Sequence, residues 1–367
     1  MFATTALFYI PFSLCLMLAI VYAERKMAAF IQDRLGPMRV GYHGILQPLA
    51  DLLKLLKKEH IVPHDSEKRL FLLAPCFLLL IVLVSFSCLP VIPAWLGART
   101  NVGFFILIAV LSLKMLGILV AGFSTPNQYA RLGAMRAIAQ FLSYEVPFTL
   151  SLLCTVIVSH HVDLPTIIGQ QGLWQYSPVI DGFQESYLLG IKGLPINAYG
   201  GFLMWNIVRM PTLLFAYVIF FIVSFALCNR IPFDLSESES ELIAGYHTEY
   251  GGIYFAWIML SEYSLMLMIS LLGIFLFLGA WYSPLPNIGC FKFAEWTNGM
   301  PNTIMGNLWA FFWFFSKLMV VIFVQLWVRW SLPRLRIDQL MQLCWHYLIP
   351  FSLLILLTTL WWQWALS

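Results

Sequence analysis

The sequence predicts an all-α integral membrane protein, a bundle of about eight transmembrane helices with an amphipathic interfacial helix in its first loop. Three observations predict it. The 367 residues are 60% hydrophobic and only 11% charged, more apolar surface than a core in water can hide, so the solvent for most of the chain is lipid. Apolar windows of the length that crosses ~30 Å of hydrocarbon recur near 3–23, 70–93, 101–123, 137–159, 202–228, 254–280, 305–328 and 347–365. Outside those windows the basic residues are unequally shared: fifteen Lys and Arg fall in the odd-numbered connections and three in the even ones.

The opening Met1–Tyr22 stretch is apolar, without a basic leader or a small-residue cleavage site, and is expected to stay as the first helix. With eight spans both termini share one side. The positive-inside rule turns the odd loops to cytoplasm or matrix and the termini to the periplasm or intermembrane space. Residues 1–367 read as one membrane domain, with 24–69 and 229–253 as its two elaborated loops. The first is too long for a turn. Within it Leu46, Leu49, Leu52, Leu53 and Leu56 share a helical face beside Asp51, Lys54, Lys57 and Lys58, the pattern of a helix lying in the interface against lipid headgroups. Seven cysteines stand singly, with no CxxC pair and no histidine at ligand spacing, so no metal or cluster is expected. A net charge of +3 is too small to point to nucleic acid.

Ionisable groups inside the spans need a reason, because each costs about 2.5–3.5 kcal/mol near the bilayer centre on insertion scales. Lys114, Arg209 and Lys317 fall within spans, where snorkelling or pairing between helices accounts for cations. Glu145 and Glu262 are different, since a short carboxylate cannot snorkel far. Desolvation and nearby cations pull its pKa in opposite directions, which suits it to taking and giving protons. The fifth connection adds Asp234, Glu237, Glu239, Glu241 and Glu249 against Arg230 alone, on a face that should be positive. Apolar residues and glycines interleave them, so this acidic loop is expected to pack against something and to serve as a charge switch or partner contact.

Three runs in these segments resemble one family. The first is Ala23–Glu24–Arg25–Lys26 through Gln32, Arg34, Gly36–Pro37, Gly44, Gln47–Pro48 and Ala50–Asp51; the second is Gly133–Ala134–Met135–Arg136–Ala137 with Ala139–Gln140 and Ser143–Tyr144–Glu145–Val146. The third joins Asn229–Arg230, Pro232–Phe233–Asp234–Leu235, Glu237, Glu239–Ser240–Glu241–Leu242, His247–Thr248–Glu249–Tyr250 and Glu262–Tyr263. In this order they resemble the quinone-site membrane subunit of respiratory complex I, which is subunit 1 of the mitochondrial enzyme and has a counterpart in the bacterial one. The likeness runs from about residue 10 to 330.

That resemblance implies a core membrane subunit of a proton-pumping NADH:quinone oxidoreductase, carrying no redox cofactor of its own. Quinone, either ubiquinone or menaquinone, is the implied substrate. NADH, FMN and iron–sulphur clusters belong to partner subunits: soluble quinone-module subunits with the terminal cluster, beside small and antiporter-like membrane subunits. Glu24, Arg25, Arg34, Arg230, Asp234 and Glu249 would bind quinone along its tunnel and chamber, while Asp51, Glu145, Glu262, Glu237, Glu239 and Glu241 would couple its reduction to protons. The membrane would be the mitochondrial inner membrane or a bacterial plasma membrane. One departure stands out: the family usually writes Ala-Glu-Thr-Asn-Arg where this chain has Ala226–Leu227–Cys228–Asn229–Arg230, so Leu227 replaces a glutamate. Glu145 and Glu262 then suffice, or another carboxylate or a water chain fills the gap. Competing readings are the homologous anchor of a membrane-bound hydrogenase and an independent proton or cation transporter. Against the transporter stand the absent internal repeats and the long packed loops.

Overall fold

The structure is a computed structural model that describes residues 2–90, 102–172, 187–192, 199–236, 242–287, 291–298 and 303–366. Six helices in it are long and apolar enough to cross a membrane. They are α3 (Lys68–Ser87), the pair α4 (Gly103–Ser112) and α5 (Lys114–Phe123), α6 (Gln128–Ser159), α10 (Gly252–Leu276), α12 (Ile304–Ser331) and the stretch from α13 (Ile337–Gln342) to α14 (Ile349–Leu366). To these the chain adds α1 (Phe2–Ile31), the interfacial α2 (Gln47–Lys57), the short α7 (Leu164–Gly169), α8 (Asn206–Arg209) and α11 (Phe293–Asn298), and α9 (Pro211–Leu227), an apolar helix of 17 residues. Every predicted span contains a helix. A single two-residue hairpin, β1 (Tyr187–Leu188) with β2 (Ile191–Lys192), is the only strand pairing among the described residues.

Three helices depart from their sequence windows, each for a local reason. The fifth window opens at 202, yet α9 begins at Pro211 because the residue before a proline avoids the α region, and Met210 is extended at φ −127°, ψ 126°. The third window is broken at Leu113 into α4 and α5. The last contains a π turn over Leu343–Leu348 just before Pro350, whose ring nitrogen has no proton to give the preceding turn.

Helix α10 is the axis of the bundle. Of its most apolar window 83% is buried, against 28% for the last helix, and it packs on α1, α3, α9 and α12. A second group forms around α6, which packs on α5, α9 and α14. Helix α2 leaves Leu46, Leu49, Leu53 and Leu56 exposed on one side, and its lysines Lys54 and Lys57 lie in the last turn where they complement the helix dipole. An uncovered leucine face flanked by lysines fits a helix resting in the headgroup layer.

Beyond its last turn α10 is held by side chains that do the work water would do in an exposed helix. Gln171 donates to the Phe275 carbonyl at 2.9 Å and accepts from the Gly279 amide at 3.0 Å. Asn206 donates to Leu276 O at 2.7 Å. Lys317 Nζ, on α12, reaches the carbonyls of Leu278, Ala280 and Tyr282 at 2.7, 3.0 and 2.7 Å, and that of Gly279 at 3.3 Å. The indole ring of Trp205 closes over the ammonium at 4.1 Å. Lys317 thus pairs between helices, as expected for a cation in a span.

Candidate functional site

At the opposite side of the bundle the polar side chains meet charges instead of carbonyls. Glu24, near the end of α1, is 7% exposed and forms an ion pair with Arg329 from the last turn of α12. A carboxylate this far out of water requires such a partner. The Tyr263 side chain of α10 lies in the same neighbourhood as Glu24, Arg230 and Arg329. Above that ring lies the Arg230 guanidinium, 4.3 Å from the centroid. Four residues far apart in sequence therefore gather into one group, Glu24–Arg329–Tyr263–Arg230, in which Glu24 and Arg230 are buried and Tyr263 and Arg329 half-buried.

The acidic loop settles onto this group because α6 fastens both ends of it. Near its start, the Gln140 carboxamide donates to Ala226 O at 2.7 Å and to Phe233 O at 2.8 Å. Further on, Gly133 of α6 faces Gly245 so closely that a Cβ on Gly133 would lie 2.9 Å from the Gly245 Cα. Gly245 itself has φ +62°, a left-handed conformation that suits glycine. Asn127 ends the fastening: its Oδ1 caps α6 through the Tyr129 amide at 2.9 Å, while its Nδ2 donates to Glu249 at 2.9 Å.

This path brings the Tyr246 hydroxyl to Glu262 Oε1 at 2.7 Å, and both residues are almost wholly buried. His247 lies edge-on to the Tyr246 ring at 5.2 Å. Burial pushes its imidazole below the usual value, with the nearby Glu262 carboxylate pulling the other way. Arg230, Glu262 and Lys114 all act on the buried Cys228 sulphur.

Glu145 of α6 is half-buried and lines a cavity together with Leu265, one helical turn along α10 from Glu262. Its Oε1 accepts from the Ser112 hydroxyl, which also points at Ile108 O at 3.0 Å. One hydroxyl proton cannot serve both acceptors fully. With Glu145 ionised Ser112 gives its proton to the carboxylate, and with Glu145 protonated the acid can donate to Ser112 while Ser112 serves Ile108. Beside them is a cavity of about 20 Å³ lined by Phe141, Phe148, Leu227 and Leu265 among others, room for about one water. Leu227, the residue that departs from the resemblance, forms part of its wall.

Other expected site residues lie elsewhere. Arg25 pairs with Asp51 of α2, which also accepts from Gln47 at 3.1 Å, on a partly exposed face. This places Asp51 with the α1–α2 surface rather than with Glu145 or Glu262. Arg34 is exposed and donates to Gln32 at 2.8 Å. Asp234 is half-buried in the loop behind Phe233. Glu237, Glu239 and Glu241 fall outside the described residues. Sequence reasoning missed Arg329, Ser112, Tyr246 and Gln140 as partners, and of these only Gln140 stood within a motif. Among the described residues no three His, Cys, Asp or Glu side chains converge as metal ligands.

The arrangement defines a class: a multi-pass membrane protein whose bundle holds ionisable side chains at buried and half-buried positions within its helices and beneath a packed loop. A sequence profile described as NADH dehydrogenase matches residues 3–360. The chain is 48% identical over 363 residues to an NADH-quinone oxidoreductase subunit of Cytophaga hutchinsonii, covering 98% of each chain. It is 44% identical over 342 residues to the corresponding NADH-quinone oxidoreductase subunit of Chlorobaculum tepidum, covering 93% of this chain and 86% of the relative. With that of Bacteroides fragilis it shares 39% identity over 338 residues, 92% and 84% of the two chains. This chain belongs to the NADH dehydrogenase family, alongside those oxidoreductase subunits.

Proposed function

We propose that this chain forms the membrane half of the quinone site in a proton-translocating NADH:quinone oxidoreductase and passes protons from that site into the bilayer through buried carboxylates. The observation that carries the reading is the gathering of ionisable side chains under the loop and inside the bundle: the Glu24–Arg329–Tyr263–Arg230 group, the buried Glu262–Tyr246 pair, and Glu145 held by Ser112. Quinone would approach past Arg25 and Arg34, and its headgroup would meet Arg230, Asp234 and Glu249 under the acidic loop. Electrons would come from an iron–sulphur cluster of a soluble partner, which itself receives them from NADH through FMN. Reduction adds negative charge to the headgroup, and the protons that neutralise it are drawn from groups such as Glu262, whose own charge then changes. Antiporter-like membrane partners would receive that change.

In this reading the loops rich in Lys and Arg face cytoplasm or matrix, and both termini the other side, by the fifteen-to-three division of basic residues. A cysteine in place of the exposed Ile191 should react with an impermeant reagent only from the periplasmic or intermembrane-space side. The functional test is Arg25→Ala in the assembled complex. Quinone reduction by NADH should fall while electron transfer from NADH to a soluble artificial acceptor continues, since no redox centre is assigned to this chain. Loss of both activities together, with the complex intact, would remove the quinone-site assignment.

A further inference from the structure

We infer that Lys114 is a proton-transferring residue on the route between Glu262 and Glu145. The inference rests on the proton-coupling reading above and names a residue that reading does not use.

Lys114 is 0% exposed near the midpoint of the 103–123 span, so it does not snorkel. It stands at the break in that span, as the first residue of α5 after Leu113 ends α4. Two residues earlier, Ser112 holds the Glu145 carboxylate. Lys114 Nζ lies 5.3 Å from the centroid of the Phe141 ring, and Phe141 lines the same cavity as Glu145 and Leu227. On its other side Lys114 shares the neighbourhood of the Cys228 sulphur with Glu262 and Arg230. The lysine therefore belongs to the same region of the bundle as both carboxylates, where Leu227 contributes no ionisable group.

An amine can release and regain a proton under conditions where a guanidinium keeps its own. In the step proposed, the Glu262 carboxylic acid breaks its O–H bond and the neutral Lys114 amine forms an N–H bond, leaving carboxylate and ammonium. The ammonium then breaks one N–H bond, through the single water the Glu145 cavity has room for, and Glu145 becomes the acid. One proton has moved, Lys114 is neutral again, and charge is conserved. Tyr246, donating to Glu262, stabilises the carboxylate left behind.

The test uses assembled complex in sealed inside-out vesicles, measuring quinone-linked NADH oxidation, the proton gradient it builds, and NADH oxidation by a soluble acceptor. Lys114→Met should lower the first two about 100-fold or more, the lower range expected for loss of a positioned proton-transfer group, and leave the third unchanged. Lys114→Arg should be impaired to the same degree, because it keeps the charge without the exchange. Wild-type turnover and gradient in Lys114→Arg would overturn the proposal, since charge alone would then suffice; so would normal values in Lys114→Met. Should Lys114→Met fail to assemble, shown by lost soluble-acceptor activity, Lys114→Arg decides alone. Glu262→Gln separates this proposal from its foundation: impaired Glu262→Gln with normal Lys114 variants removes only the lysine, whereas normal Glu262→Gln removes the proton route itself.

Discussion

Helix α10 is gripped by polar groups in two regions, and the grips are built from different chemistry. Beyond its last turn Lys317, Gln171 and Asn206 hold backbone carbonyls, groups that accept hydrogen bonds and do not take up protons near neutral pH. On the loop side Glu262 and Tyr263 meet Tyr246, Glu24, Arg230 and Arg329, side chains that include carboxylates able to change charge. A buried cation and a buried carboxylate cost similar amounts to place in a membrane, so burial alone does not tell structural from functional charge. The partner does. A charge satisfied by carbonyls anchors, and a charge satisfied by other titratable groups can exchange.

The sharpest challenge to that distinction is Lys317→Met. Removing the ammonium strips the donor from carbonyls that each cost about 1–3 kcal/mol to leave buried and unsatisfied. The complex should fail to accumulate, with quinone-linked and soluble-acceptor activities falling in proportion to its amount in the membrane. A fully assembled Lys317→Met complex that loses only quinone-linked turnover would erase the difference between the two regions.

Arg329→Ala should come next in size. It leaves Glu24 as a buried carboxylate without its ion-pair partner, a change worth about 3–5 kcal/mol in comparable pairs. Thermal inactivation of the detergent-solubilised complex should show it, with Arg329→Lys less affected and Glu24→Gln/Arg329→Met closer to wild type. Equal inactivation of all three would mean that the pair contributes shape rather than charge.

Glu262→Gln should have little effect on stability, because the glutamine oxygen can still accept from Tyr246. Its effect belongs to turnover: quinone-linked NADH oxidation should drop about 100-fold or more at unchanged subunit content, as judged by soluble-acceptor activity in the same membranes. Inactivation at the temperature at which Lys317→Met fails would place Glu262 among the anchors.

The smallest expected effect is on pH. Burial depresses the His247 imidazole, so folding favours its neutral form. That contribution is present in full above the unfolded value near 6.5 and is lost as pH falls below it toward the depressed folded value. Wild-type complex should become less heat-stable as the medium is acidified from neutrality through that range, and His247→Phe should flatten the dependence. An unchanged slope would assign the acid sensitivity to other groups.

Much of this was legible in the sequence, and the reasons are local. Apolar runs report burial in lipid whatever their neighbours, so the spans were visible; Pro211 carried a helix start that a hydropathy window averages away. The break at Leu113 had no proline or glycine at the site to signal it. Glu145 and Glu262 were conspicuous as carboxylates in apolar helices. Their partners were not. Glu24 and Arg329 are 305 residues apart, and Gln140 fastens a loop more than eighty residues onward, pairings that leave no periodicity to read. Arg329 at the end of an apolar run counted only as one more basic residue of an odd loop until Glu24 was placed against it.

The lengths of three helices carry a consequence of their own. Helices α1, α6 and α12 have 30, 32 and 28 residues, whereas about 20–22 residues cross ~30 Å of hydrocarbon even at a tilt of ~20°. Each therefore has roughly two to three surplus turns, about 9–18 Å of rod, beyond what the hydrocarbon requires. The surplus of α1 and α12 meets where Glu24 pairs with Arg329, and that of α6 starts beside Gly245 of the acidic loop. Together these ends bring charged side chains of three helices and the acidic loop into one region. On the function proposed above, a hydrophobic molecule reaching that region would leave its solvent, and its polar head would be met there by protein charges in place of water.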